Sequence, residues 1–155
     1  MKIYSVQRSQ QLALSLNDAW RFFSNPANLA LLTPPSLNLR PISDVPALMY
    51  EGMLVTYRIT PFAGIPVTWV TEITHVNEPF MFIDEQRFGP YRFWHHEHRF
   101  EEIANGIVLG DTVRYGLPLG ILGRIAHALV VRRQIDAIFA FRERVLGQRF
   151  GSAAH

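Results

Sequence analysis

Between Gly52 and Tyr115 the chain alternates apolar and polar residues in five short segments, and then it changes to a helical period. The segments run over 52–60, 67–76, 80–88, 91–102 and 107–115. Alternation of this kind reads as strands whose successive side chains point to opposite faces. Pro61–Pro66, Asn77-Glu78-Pro79, Gly89-Pro90 and Asn105-Gly106 separate them, and Asn-Gly is a strong hairpin signal. Connections this short join antiparallel neighbours, so the segments predict a meander. From Ile121 to about Arg149 there is no proline. Leu122, Ile125, Ala126, Leu129, Ile135, Ile138, Phe139, Arg142, Val145 and Leu146 recur there near helical period. That pattern predicts one long terminal helix with an apolar stripe.

The first fifty residues supply smaller elements. Ile3 to Leu14 reads as a strand, and Leu37 to Ile42 as a weak one. Ser15 caps a short helix over 19–23, with Asp18 in its first turn. Asn25 caps a second, with Pro26 at its first position, which stops at Thr33-Pro34-Pro35. The order is α+β. An antiparallel sheet with one apolar face must be covered, and the long helix is the only large cover available. A curved sheet around one helix leaves a space between them, closed at one side by the short helices, and pockets favour such places. The 155 residues suit one domain, expected over 1–150, with 151–155 as a frayed tail.

The fourth alternating segment carries the chemistry. One face of it presents Arg92, Trp94, His96, His98 and Phe100; the other presents Tyr91, Phe93, His95, Glu97 and Arg99. Trp94 and Phe100 prefer burial, so the first face is expected inside. By the same reasoning Phe82, Asp84 and Gln86 point inward from the segment before. Ile107, Leu109, Asp111, Val113 and Tyr115 point inward from the one after. Met53, Tyr57, Trp69 and Thr71 line the earlier strands. Asp84, Asp111, His96 and His98 then share one side of one sheet. Buried carboxylates are costly unless paired, and imidazoles beside them are a fitting partner. A slip of one residue in register would move the whole set outside.

Composition excludes several classes. There is no cysteine, which removes disulfides and thiolate chemistry, and no serine stands in a recognisable nucleophile motif. No phosphate loop or dinucleotide fingerprint occurs. No apolar run is long enough to span a bilayer, and Met1-Lys2-Ile3-Tyr4-Ser5 does not read as a signal peptide, so a cytoplasmic address is the default expectation. Net charge is +2, Lys2 is the only lysine, and arginines crowd the end: Arg124, Arg132, Arg133, Arg142, Arg144 and Arg149 face only Asp136 and Glu143. Such an end can touch nucleic acid or anionic lipid, but a solvated helix face is the preferred reading, without nucleic acid or stable membrane insertion.

The order of elements, together with Trp94-x-His96-x-His98-x-Phe100, Asp111-x-Val113-x-Tyr115-x-x-Pro118-x-Gly120 and Phe139-x-x-Arg142, resembles the SRPBCC (START/Bet v1-like) superfamily. Asn28-Leu29 with Leu32-Thr33-Pro34-Pro35, and Asp84-x-Gln86-x-x-Gly89-Pro90, add to the likeness, which spans nearly the whole chain. The branch it most resembles is that of bacterial polyketide cyclase/dehydrase-type or ligand-binding proteins. The resemblance implies a helix-grip fold: a curved antiparallel sheet with two short helices, wrapped around one long C-terminal helix. It also implies a cavity for lipids, polyketides or other hydrophobic molecules, with catalysis in a few members; fold alone does not decide between these.

Four readings of the Asp/His set follow. The preferred one is a plain binding pocket whose polar groups orient an apolar ligand, lined by Tyr57, Trp69, Phe82, Asp84, Gln86, Trp94, His96, His98, Phe100, Asp111 and Tyr115. The alternative is a cyclase/dehydratase-type enzyme using His96 or His98 with Asp84 or Asp111 as general acid/base. A structural network that pins the sheet is the third. A metal site on His96 and His98, with Asp84 or Asp111 as third ligand, is the fourth; the pattern lacks a clear third ligand, and no metal or cofactor is assigned. Elsewhere His75 and His95 are expected at the surface, His127 exposed on the helix, and Phe141 at an edge where a homodimer contact is conceivable. Gly116, Gly120 and Gly123 are expected to loosen the strand-to-helix junction.

Overall fold

The computed structural model describes residues 1–153. Its strands are β1 (Ile3–Leu12), β2 (Arg40–Pro41), β3 (Leu54–Phe62), β4 (Ile65–Asn77), β5 (Met81–Phe88), β6 (Phe93–Ile103) and β7 (Gly106–Gly116). They form one antiparallel sheet in the order β1-β7-β6-β5-β4-β3-β2. Helix α1 (Leu16–Phe23) follows β1, and two 3-10 turns, Pro26–Leu32 and Pro35–Leu37, follow it. The chain closes with α2 (Gly120–Ala126), a π turn (His127–Val131) and α3 (Arg132–Phe150). The α+β helix-grip expectation is therefore met.

Local chemistry sets the early elements. Ser15 Oγ accepts from the Asp18 amide at 3.1 Å, and Asn25 Oδ1 from the Ala27 amide at 3.1 Å, with Pro26 at the first helical position. Caps of this kind are worth about 1 kcal/mol each. The second short helix is a 3-10 turn rather than an α-helix, and the weak strand shrinks to Arg40–Pro41. The β3–β4 hairpin turns on Ala63 and Gly64, both in the left-handed region, and Phe62 pairs with Ile65 after a register shift beyond Ile59, where a longer turn was expected. The β6–β7 hairpin turns on Ala104 and Asn105, one residue before the Asn-Gly signal. Gly106 answers a different need: a Cβ there would stand 2.0 Å from the Leu12 carbonyl oxygen of β1. Register shifts at Val70/Thr71 and Ile73/His75 bend β4 against β5.

Two apolar clusters fill the fold. One joins α1, the sheet and Leu146; the other joins Val113, Tyr115, Val131, Ile135 and Phe139. The last helical stretch departs from the expected stripe. Its body-facing residues are Gly123, His127, Val131, Ile135 and Phe139, then Arg142 and Leu146. A spacing of four from Gly123 to Phe139 is wider than 3.6, and the π turn takes up the difference. Leu122, Ile125 and Leu129, expected in the core, are exposed. His127, expected exposed, is buried: Nε2 lies 2.8 Å from the Tyr115 hydroxyl, and the ring stacks on Tyr4 at 3.5 Å between centroids. Gly123 does not loosen the junction. A Cβ there would stand 2.1 Å from the Pro118 carbonyl oxygen, so glycine permits the close approach. The tail is docked where it is described: the Ala13 amide donates to the Gly151 carbonyl at 3.1 Å and Ala153 is buried, while Ala154 and His155 lie outside the described residues.

Candidate functional site: a cavity with a buried Asp–His–Arg cluster

The sheet and α3 enclose a cavity of about 180 Å³, closed at one side by α1 and the 3-10 turns. One buried water needs roughly 10–15 Å³ on the same measure, so the space suits an organic molecule. Phe22, Leu29, Val55, Ile73, Ile138 and Phe139 represent its mainly apolar wall. Of the residues expected to line it, Tyr57, Trp69, Phe82, Asp84, Trp94, His96 and His98 do so.

Gln86, Phe100, Asp111 and Tyr115 stand behind the wall. Gln86 uses its amide on the turn before β6: Nε2 donates to the Tyr91 carbonyl at 2.6 Å, and Oε1 accepts from the Tyr91 amide at 3.3 Å. Phe100 is locked among Trp20, Phe23 and Phe82. Tyr115 belongs to the second cluster and meets His127. Alternation pointed Phe100 and Tyr115 to the inner face, but α1 covers that face at Phe100 and the last helical stretch covers it at Tyr115. Tyr91 is the converse case. It precedes the first residue of β6, so strand parity does not govern it, and it turns inward to the cavity and to Trp94.

Register builds the polar cluster. Asp84 pairs with His96 across β5–β6, and His98 with Asp111 across β6–β7. Asp111 Oδ1 lies 2.8 Å from His96 Nε2, 3.1 Å from His98 Nδ1 and 3.4 Å from an Arg142 guanidinium nitrogen. Asp84 Oδ2 lies 2.7 Å from His98 Nε2 and 3.6 Å from His96 Nδ1. The two rings are tilted by 34° with centroids 3.7 Å apart, and Phe82 stacks on His98 at 4.1 Å.

The electrostatics assign one proton. Burial pushes both carboxyls up, but the neighbouring imidazoles and guanidinium outweigh it. Arg142 with His96 and His98 holds Asp111 well below the usual carboxylate range, and the two histidines with Arg142 hold Asp84 below it. Burial and the neighbouring His98 lower His96. Burial also opposes charge on His98, but its hydrogen bonds to Asp111 and Asp84 raise it. The charged form is therefore favoured on His98, whose Nε2 faces Asp84 and whose Nδ1 faces Asp111, with an Arg142 guanidinium nitrogen 3.5 Å from the same Nδ1. His96 is neutral and donates from Nε2 to Asp111. With His98 charged, the two carboxylates balance Arg142 and His98, which is how a cluster this polar is tolerated beside an apolar cavity. Burial and Asp84 push the Tyr57 hydroxyl up to about 12, so it stays protonated in the same wall.

Sequence reasoning grouped Arg142 with an apolar stripe and the solvated arginines. Its guanidinium is inside, over the Phe23 ring at 5.4 Å, and Nε has no hydrogen-bond partner among the described residues. The signal was its position seven residues after Ile135 and three after Phe139. Asp84, His96 and His98 also bring three metal-ligating atoms within 4.8 Å of one another. Geometry permits an ion there, but the ion would have to displace the His98 proton and sit close to Arg142.

No protein-family model matches the sequence, and no curated protein matches it. Solved structures do match along nearly the whole chain. Protein CV1439 from Chromobacterium violaceum is 13% identical over 96% of this chain and 98% of its own, with a TM-score of 0.71. Norcoclaurine synthase from Thalictrum flavum, solved with a transition-state analogue, is 16% identical over 96% and 97%, with a TM-score of 0.65. The di-domain ARO/CYC StfQ of the steffimycin biosynthetic pathway is 14% identical over 95% of this chain and 52% of its own, with a TM-score of 0.64. The likeness shows the fold: a Bet v1-like helix grip, with a curved antiparallel sheet around one long C-terminal helix.

Proposed function

We propose that this chain binds a mainly apolar small molecule, of lipid or polyketide type, in the cavity between sheet and α3, with the Asp84–His98 edge orienting its oxygen atoms. One observation carries the reading: an apolar cavity of about 180 Å³ whose ionisable groups are gathered on one wall, with carboxylates set against imidazoles and Arg142. A neutral wall accepts an uncharged ligand without stranding an ion. The Trp69 and Trp94 indole nitrogens, both on cavity-lining residues, have no hydrogen-bond partner among the described residues. Such groups cost about 1–3 kcal/mol each.

The test is native mass spectrometry of freshly purified protein, followed by tryptophan quenching with a panel of fatty acids, sterols and aromatic polyketides. Saturable quenching that Thr71→Phe abolishes supports binding inside the cavity. No bound mass and no quenching across the panel would rule it out.

A second reading is general acid–base catalysis, favoured by the opposite pKa shifts of two histidines whose ring centroids lie 3.7 Å apart. The raised His98 would donate and the neutral His96 would accept, as in a cyclase or dehydratase. Solved neighbours named as a synthase and as ARO/CYC make the fold compatible with it. Product analysis of a bound ketone decides: His98→Gln and His96→Gln should each stop loss of water while binding persists. Unchanged turnover in both variants would exclude these bases.

A further inference from the structure

The stretch from Leu119 to Arg133 exposes apolar side chains that none of the other described residues covers. Leu119 is 76% exposed, Ile121 66%, Leu122 67%, Ile125 51%, Leu129 64% and Val130 51%. Ile121, Leu122, Ile125 and Leu129 fall at i, i+1, i+4 and i+8, so they share one helix face. The body is reached instead by Gly123, His127 and Val131. The π turn fixes this choice, and the tight fit of Gly123 against the Pro118 carbonyl prevents the helix from rolling its apolar face inward.

The charge on the same stretch is one-signed. No Asp or Glu occurs from Thr112 to Ile135, while Arg124, Arg132 and Arg133 are exposed there. Among the described residues, the arginines in ion pairs are Arg8, Arg21, Arg87, Arg99 and Arg142, and none of these three. Lys2 adds a cation nearby, its Nζ 5.1 Å from the Tyr4 ring that stacks on His127.

We propose that Leu119–Arg133 is an interfacial element that docks this protein on an anionic lipid bilayer. An outward apolar face flanked by arginines matches the boundary between acyl chains and anionic headgroups. A second copy of the chain fits poorly. Pairing this face with itself brings the three unpaired arginines toward their mates, with no carboxylate on the segment to meet them. Docking here is peripheral, since no helix is long and apolar enough to cross a membrane. The element also continues into the cavity wall: Gln134 donates to the Pro61 carbonyl, and Ile135 lines the cavity beside it. Docking would set that end of the cavity against the bilayer. The docking surface itself does not depend on which ligand the cavity takes.

The test is co-sedimentation of the full chain with vesicles of phosphatidylcholine alone and of phosphatidylcholine mixed equally with phosphatidylglycerol. The expected result is binding to the phosphatidylglycerol vesicles that weakens as salt rises. Replacing Arg124, Arg132 and Arg133 by Gln should reduce it on the order of 100-fold, and Ile125→Asp with Leu129→Asp should abolish it. Because the chain has no cysteine, Leu129→Cys carries a single polarity-sensitive dye, which should shift to the blue on these vesicles. The same dye on Glu101→Cys, at the far end of β6, should not shift. This labelled pair keeps the test decisive if the double Asp variant fails to fold. Absence of binding to phosphatidylglycerol vesicles would overturn the proposal. So would binding that ignores both sets of substitutions, or a wild-type dimer in sedimentation that the Asp variants dissociate.

Discussion

Replacing Asp111 by Asn is the sharpest probe of the buried cluster. The substitution keeps the side-chain volume and one acceptor oxygen, but it removes the charge that His96, His98 and Arg142 converge on at 2.8, 3.1 and 3.4 Å. Removing one partner of a buried ion pair costs about 3–5 kcal/mol, and the retained acceptor places this case near 3. Unfolding entropy of roughly 2.1 cal/mol/K per residue gives about 0.33 kcal/mol/K for 155 residues, so the melting temperature should fall by about 9 °C. The exposed pair Arg8–Asp136 supplies the control, because Asp136→Asn should cost less than about 1 kcal/mol. Urea unfolding and circular dichroism melts measure both. The pH dependence is a second readout. The folded pKa of Asp111 lies well below its ordinary value, so below about pH 4 the unfolded chain binds the proton and the folded chain does not. Its contribution is present above that range and is lost as pH falls. The variant should therefore shed one proton's share of the acid slope, about 1.4 kcal/mol per pH unit. His98 loses an acceptor and should titrate lower by NMR. A stability within about 0.5 kcal/mol of wild type, with His98 titrating unchanged, would refute the reasoning, since a desolvated pair cannot be broken at so small a cost.

Three further outcomes are expected. Gly123→Ala should destabilise by about 1–3 kcal/mol in urea despite alanine's better helix propensity, because its Cβ would meet the Pro118 carbonyl at 2.1 Å; a gain in stability would show that the helix yields there. Burial, then Arg132 and Lys2, lower the His127 pKa, so this ring is neutral when folded. Its share of stability is full above about pH 6.5 and is lost as pH falls below it; His127→Phe should flatten the decline between about pH 6.5 and 5, and an unaltered slope would count against a buried neutral ring. Zinc added in excess at neutral pH should leave the melting temperature unchanged, because the Asp84–His96–His98 trio holds a proton and faces Arg142; a rise of several degrees would establish a metal site instead.

Strand parity carried most of what was legible. Once Trp94 and Phe100 are required inside, His96 and His98 follow, and hydrogen-bond register then brings in Asp84 and Asp111 from the neighbouring strands. Parity is exact in a strand, so a single correct anchor orients every other residue in it. The same rule lapses at Tyr91, which lies outside the strand. A helix offers no such rigid parity. Leu122, Ile125 and Leu129 continue the apolar period of the residues after them, yet a π turn at His127–Val131 changes the phase and leaves them facing out.

What the sequence determined by itself was therefore the order of elements, the antiparallel meander with its covering helix, and the inward side of each strand. All three follow from local periodicity and turn chemistry. Tertiary structure alone decided which inward residues reach the cavity, because α1 and the last helical stretch cover the two ends of the sheet. It also decided the place of Arg142, which reads as a surface cation but completes a neutral cluster with Asp111. Charge balance in a buried site depends on which groups meet through space, and no spacing along the chain encodes that meeting.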